Sequence, residues 1–189
     1  MYKSHTQIML TKENIDLFRS ECKAIQIKKN DFFVKENEVC NHIGIVHSGT
    51  LYGYFEDADS NFIVSELYYE QSIVTSYRSF ITGVPSPAFL KAYSDTIIYA
   101  MDKNHYDQLM KQQEWAYIFK KISDLLFINK CFKETALIKL KAKERYLQLI
   151  ENRKQIEQKF PQHLIASYLK IRPETLSRIK SLDLYQDRK

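Results

Sequence analysis

A chain of 189 residues, 44% hydrophobic and 27% charged, has the composition of an ordinary folded protein and excludes disordered and collagen-like classes. Its net charge of +5 is uneven: Lys139 to Lys189 carries thirteen Lys and Arg against six Asp and Glu, leaving the first 138 residues at −2. Apolar runs such as Ile97–Met101 and Leu125–Ile128 fall far below the roughly 20 residues of a membrane span, and Met1–Leu10 has no leader-like apolar core, so a cytoplasmic location without membrane contact is expected.

Thr11 is placed to cap a first helix running to about Cys22, with Ile15, Leu17 and Phe18 on its apolar side. Seven β-rich segments follow: Ile25–Lys28, Phe32–Val34, Ile43–His47, Leu51–Phe55, Phe62–Tyr69, Ala88–Tyr93 and Thr96–Met101. Aromatic and β-branched residues dominate them. Turn signals separate them, among them Lys29-Asn30-Asp31, Ser48-Gly49-Thr50 and Asp57-Ala58-Asp59-Ser60. Short, regularly spaced strands predict an antiparallel barrel or jelly roll.

No strand pattern continues past Lys103. A short helix is expected over Lys103–Lys111, then a long one from Gln112 to near Leu137, about 40 Å at 1.5 Å per residue. Trp115, Ile118, Ile122, Leu125, Asn129, Phe132 and Ala136 repeat at alternating spacings of 3 and 4, a heptad seam that predicts dimerisation through this helix. Phe119, Leu126 and Phe127 widen the apolar face, so the helix has residues for its own domain as well as for a partner. Asn129 takes an a position, where a polar pair across the axis sets register at some cost in stability.

The basic C-terminal quarter reads as three helices. A supporting helix over Leu140–Asn152 precedes Pro161–Leu169 and Pro173 to about Ser181, the last two joined by Lys170-Ile171-Arg172, which is helix-turn-helix spacing. Each of the last two starts with Pro, which has no amide hydrogen to lose at the first helical position. Leu164, Ile165, Tyr168 and Leu169 face Leu176 and Ile179. Outside that pair stand Glu174, Thr175, Ser177, Arg178 and Lys180, side chains suited to base edges and phosphates; Arg172, ahead of the second helix, suits a phosphate.

The stretches Ile165-Ala166-Ser167-Tyr168-Leu169 and Pro173-Glu174-Thr175-Leu176-Ser177-Arg178-Ile179 resemble the helix-turn-helix of the Crp/Fnr family of bacterial transcription regulators. The resemblance implies that Glu174 and Arg178, one turn apart, contact bases. Upstream, Phe33-Val34-Lys35-Glu36-Asn37-Glu38 and Ile43-Gly44-Ile45-Val46-His47-Ser48-Gly49 are similar to the family's early strands. The implied fold is α+β: a jelly-roll-like antiparallel β-roll (1–111), a dimerisation helix (112–138) and a helix-turn-helix unit (139–189). The implied function is that of a homodimeric, sequence-specific regulator of double-stranded DNA, with RNA polymerase among its partners.

Cyclic-nucleotide-binding members carry a Gly-Glu pair and an Arg-Ser/Thr-Ala trio around the ligand; here Thr75-Ser76 and Ser86-Pro87-Ala88 stand in their places, without the charged groups. A cyclic nucleotide is therefore not expected. A different small-molecule effector would find Tyr68, Tyr69, Ser76, Tyr77, Arg78, Ser86 and Phe89 as its pocket, with Arg78 as a substitute cation. Cys22, Cys40 and Cys131 are too few for an iron–sulfur cluster and too scattered for a disulfide framework or zinc site. His42 and His47 lack His-x-His spacing, and lone His105 reads as structural rather than as a haem ligand. No nucleophile elbow, phosphate loop or carboxylate pair points to an enzyme. Only eight residues follow Ser181, too few for a two-stranded wing, with Arg188 and Lys189 as a basic arm; Lys170 and Arg172 replace the usual Gly and Ser/Thr around the turn. Two alternatives stay open: a cyclic-nucleotide-responsive regulator with an altered pocket, and a protein-interaction module that retains the fold.

Overall fold

Thr11 caps the first helix as expected, its hydroxyl accepting the Asn14 amide at 3.2 Å, and α1 spans Lys12–Ser20 with Phe18 fully buried. It ends two residues before Cys22 because the first strand begins at Lys23. The computed structural model describes residues 10–58 and 61–186, with side chains as far as Ser181. Met1–Met9, the Asp59-Ser60 half of one expected turn, and the Arg188-Lys189 arm lie outside the described residues.

Among the described residues eight strands follow: β1 (Lys23–Ile27), β2 (Phe32–Val34), β3 (His42–Ser48), β4 (Leu51–Glu56), β5 (Phe62–Tyr68), β6 (Ile73–Val74), β7 (Phe89–Ala92) and β8 (Thr96–Asp102). They form two four-stranded antiparallel sheets, ordered β1-β8-β3-β6 and β2-β7-β4-β5. Between them sit Val34, Val46, Leu51, Leu90 and Ile98, the apolar alternation of five strands meeting in one layer. Gly49 closes the β3–β4 turn at φ +85°, where an added Cβ would lie 2.3 Å from the Asp95 carbonyl; only glycine fits. The sequence reading missed β6 and the helix α2 (Tyr77–Thr82), because two and six residues are too short to show a period.

The remaining helices are α3 (Lys103–Leu109), α4 (Gln113–Lys139), α5 (Ala142–Asn152), α6 (Ile156–Lys159), α7 (Gln162–Tyr168) and α8 (Pro173–Gln186). The last extends past the expected end near Ser181, and the short α6 was not foreseen. None of the helices among the described residues is long and apolar enough to cross a membrane.

The long helix α4 corrects the expected dimer seam. Trp115, Ile118 and Ile122 are buried in the chain's own core with Phe119, packed on Phe18, Ile43, Ile45, Phe80 and Tyr106. They are not available to a partner, because the β-roll and α1 present an apolar wall that this half of the helix covers. The other half differs: Leu125 and Asn129 are half-buried and Phe132 is exposed, while Phe127 is 68% and Ile138 76% exposed. Helices α5 to α8 enclose a separate cluster, Tyr146, Leu149, Ile156, Phe160, Ile165 and Leu176, which also takes in Val64 and Leu67 of β5.

Candidate nucleic-acid interface

The pair α7 and α8 is built around a left-handed turn. Lys170 sits at φ +56°, the conformation that explains glycine at this position in the resembling family. The Lys170 amide donates to the Ser167 carbonyl and the Ile171 amide to the Ala166 carbonyl, both at 3.0 Å. That is the bonding of a Schellman cap, and it satisfies two of the carbonyls that the end of α7 leaves open. A non-glycine residue here costs about 1 kcal/mol. The Lys170 ammonium offsets that cost through a 2.8 Å bond to the Val64 carbonyl. Pro161 occupies the N-cap of α7 rather than its first turn, a shift of one residue from expectation.

Beyond the turn, Pro173 opens α8 and the Arg172 carbonyl accepts the Thr175 and Leu176 amides at 3.0 and 3.2 Å. Leu176 and Ile179 face inward and are buried, on the side the 3.6-residue period assigns to them. Arg172, Glu174, Ser177 and Arg178 are exposed and Thr175 is half-buried. Lys180 is drawn to one side, its ammonium 2.7 Å from the Glu157 carboxylate of α6.

Much of the C-terminal basic charge is engaged within the protein. Arg145 bonds the Leu169 and Leu140 carbonyls at 3.2 and 2.8 Å, closing the ends of α7 and α4, and Lys159 pairs with Glu70 at 2.8 Å. Arg153 pairs with Glu66 at 2.9 Å, with side-chain exposures of 19% and 29%. The charge surplus read from the sequence therefore exceeds what faces outward, since contacts between distant residues consume part of it.

The expected effector pocket divides. A cleft of about 1050 Å³ between β5, α4 and the end of α5 is lined by Tyr68, Tyr69, Tyr77 and Arg78 together with Asn129, Lys133 and Arg153. Ser76, Ser86 and Phe89 do not line it. The Ser86 hydroxyl donates to Ser76 and is buried, and Phe89 stacks on Tyr54 at 4.8 Å in a separate row of aromatic side chains.

The site reading from sequence missed the ionic group at the cleft wall, Glu66, Lys133 and Arg153, which no local spacing could announce. Burial would raise the Glu66 carboxyl, but Arg153, Lys133 and the Leu67 amide outweigh it and hold the group below its ordinary value of 4.5. Burial pushes the Lys133 ammonium down to about 8, with Glu66 opposing and Lys170 and Arg153 adding to the shift. The folded chain thus binds the Glu66 proton less readily than the unfolded chain does. The resulting stabilisation is complete above pH 4.5 and is lost as pH falls through the lower folded value. Thermal melts between pH 6 and pH 3 are expected to fall less steeply for Glu66→Gln than for the natural protein; parallel curves would mean that Glu66 is not held ionised.

No protein-family model and no curated protein matches the sequence. Among solved structures, the chain is similar to FixK2 from Bradyrhizobium japonicum, with 16% identity, a TM-score of 0.73, and coverage of 88% of this chain and 86% of that one. It is also similar to the c-di-GMP-responsive global regulator CLP of Xanthomonas campestris, at 14% identity, TM-score 0.65 and 93% coverage of each chain. The catabolite activator protein of Thermus thermophilus is a third, at 17% identity and TM-score 0.59, covering 94% of this chain and 85% of that one. At such identities the likeness is one of fold: a β-roll, a long helix and a helix-turn-helix in the Crp/Fnr arrangement.

Proposed function

We propose that this chain is a sequence-specific DNA-binding transcription regulator that acts as a homodimer, with a β-roll over 1–111, a joining helix over 112–138 and a DNA-binding unit over 139–189. One observation carries the reading. Helix α8 follows a Schellman-capped turn and buries Leu176 and Ile179 while Glu174, Ser177 and Arg178, with Arg172 just ahead of the helix, are exposed. A helix held that way fits a major groove, with Arg178 aimed at guanine O6 and N7, Glu174 at the cytosine amino group and Arg172 at a phosphate. Two similar structures belong to a global regulator and a catabolite activator, which supports the same role here.

The partner copy docks on the C-terminal half of α4. Phe127 and Ile138 are eleven residues, about three turns, apart and share one exposed line. The two recognition helices then enter successive major grooves roughly 34 Å apart. The β-roll does not answer to a cyclic nucleotide, because the Ser86 and Ser76 hydroxyls bond each other where a cyclic phosphate would need a cation; it serves either a different effector or the dimer scaffold alone.

Selection of bound sequences from random duplex DNA, followed by affinities across a salt series, tests the reading. An enriched palindrome with a steep salt slope is the expected result. Tight binding to another protein with no salt-dependent DNA affinity would replace it with the interaction-module alternative.

A further inference from the structure

Strand β5 is the last strand of its sheet, so one side of its backbone has no strand neighbour. Such an edge leaves amide and carbonyl groups that must be bonded if they are covered. Here side chains of the helical half do the bonding. The Ser167 hydroxyl accepts the Val64 amide at 2.9 Å, Lys170 donates to the Val64 carbonyl at 2.8 Å, and Arg153 donates to the Leu67 carbonyl at 2.9 Å. Lys133 of α4 donates to the Ser65 carbonyl. Ser65 is a β-bulge: Gly53 pairs with Glu66 and Tyr54 with Val64, leaving Ser65 between them without a β4 partner.

Glu66 follows the bulge and is the anion of the group. Arg153 lies 2.9 Å away, and both cations also hold the Tyr168 ring of α7, the Lys133 ammonium at 3.7 Å and the Arg153 guanidinium at 5.6 Å from its centre. Glu66 thus ties the β-roll to Arg153 at the end of α5, and through the contacts of Lys133 and Arg153 with the Tyr168 ring the group joins the long helix and the first helix of the helix-turn-helix. Meanwhile Arg172, Glu174, Ser177 and Arg178 stay exposed, so the group orients the DNA-reading face without covering it.

We propose that Glu66, with Lys133 and Arg153, is a latch that fixes the attitude of the helix-turn-helix unit on the β-roll, and that Glu66 is a positioning residue for DNA recognition. The proposal rests on the regulator reading above. Two units held at a set separation engage two half-sites as one ligand, whereas two loose units must be ordered at each binding event. Apolar packing of Val64 and Leu67 on α7 remains when the charge is removed, so the unit loosens rather than unfolds.

The test uses the full-length protein as Glu66→Gln, with the milder Ser167→Ala as a second variant that leaves the ions in place. Amide exchange at Val64 and affinities for a two-half-site duplex, a single half-site, and duplexes with the spacer changed by one base pair are measured. Faster Val64 exchange, a loss of roughly tenfold or more on the two-half-site duplex, an unchanged half-site affinity and a broader spacer tolerance are expected. Unchanged Val64 exchange in Glu66→Gln overturns the latch; Ser167→Ala, which removes the Val64 amide's own acceptor, sets the exchange rate of an unprotected Val64. Equal losses on full and half sites, or none on either, overturn the positioning role. If the natural protein itself prefers no duplex over a scrambled one, the regulator reading falls and this inference with it, an outcome distinct from a discriminating natural protein whose variants match it.

Discussion

Arg178→Ala is expected to weaken binding to the selected duplex by about 1–3 kcal/mol per half-site, roughly five- to 150-fold, while leaving affinity for a scrambled duplex almost unchanged. The guanidinium stands exposed in the second turn of α8, one turn beyond Glu174 and between the buried Leu176 and Ile179 in sequence. Those two anchors set the direction of the exposed face, so truncating Arg178 leaves the helix seated and probes only the proposed base contact. Arg172→Ala is the matched comparison. Its side chain precedes the helix, and its loss is expected to be uniform across sequences, with a salt slope smaller by about 1. Fluorescence anisotropy on the two duplexes over a range of salt separates the two patterns. If Arg178→Ala weakened both duplexes equally, Arg178 would be a phosphate contact and base reading would have to lie elsewhere on α8.

Trp115→Ala is expected to lower the unfolding free energy by about 3–5 kcal/mol, a large share of what holds a small domain together. Its indole is 4% exposed and lies 5.6 Å, centre to centre, from Phe119, which in turn meets Phe18 and Tyr106 at 6.4 and 4.3 Å. Removing it opens a cavity where α1, the β-roll and α4 meet, and rigid strands on one side leave little scope for collapse. Denaturant titration gives the loss, and light scattering gives the association state of the folded fraction, which should not change. The reverse pattern is expected for the double variant Phe127→Lys, Ile138→Lys: folded, near the natural stability as a monomer, and unable to associate. A stable, monomeric Trp115→Ala protein would return Trp115 to the dimer seam.

The long helix shows where sequence reading stops. Spacings of 3 and 4 from Trp115 to Ala136 identified a helix and an apolar stripe, and both exist. The same spacing could not say what the stripe faces, because period reports the direction of side chains and carries nothing about the neighbour they meet. The β-roll took the first half. In the helix-turn-helix, by contrast, the inward residues Leu164, Ile165, Leu176 and Ile179 were legible, because the turn between two short helices is decided within a few residues; the left-handed backbone of Lys170 entered only as a position where the resembling family has glycine.

Sequence by itself therefore determined the order of the longer elements, the Thr11 cap, the short alternating strands and the turn that sets α7 against α8, all outcomes of interactions spanning a few residues. Tertiary structure alone decided that Lys180 turns to Glu157, that Ser86 bonds Ser76 rather than facing the cleft, and that Glu66 meets Arg153, 87 positions away in the chain. The physical reason is common to all three: a charge or hydroxyl leaving water takes whatever partner the packing brings within reach, and that partner is chosen by how the sheets and helices close on one another.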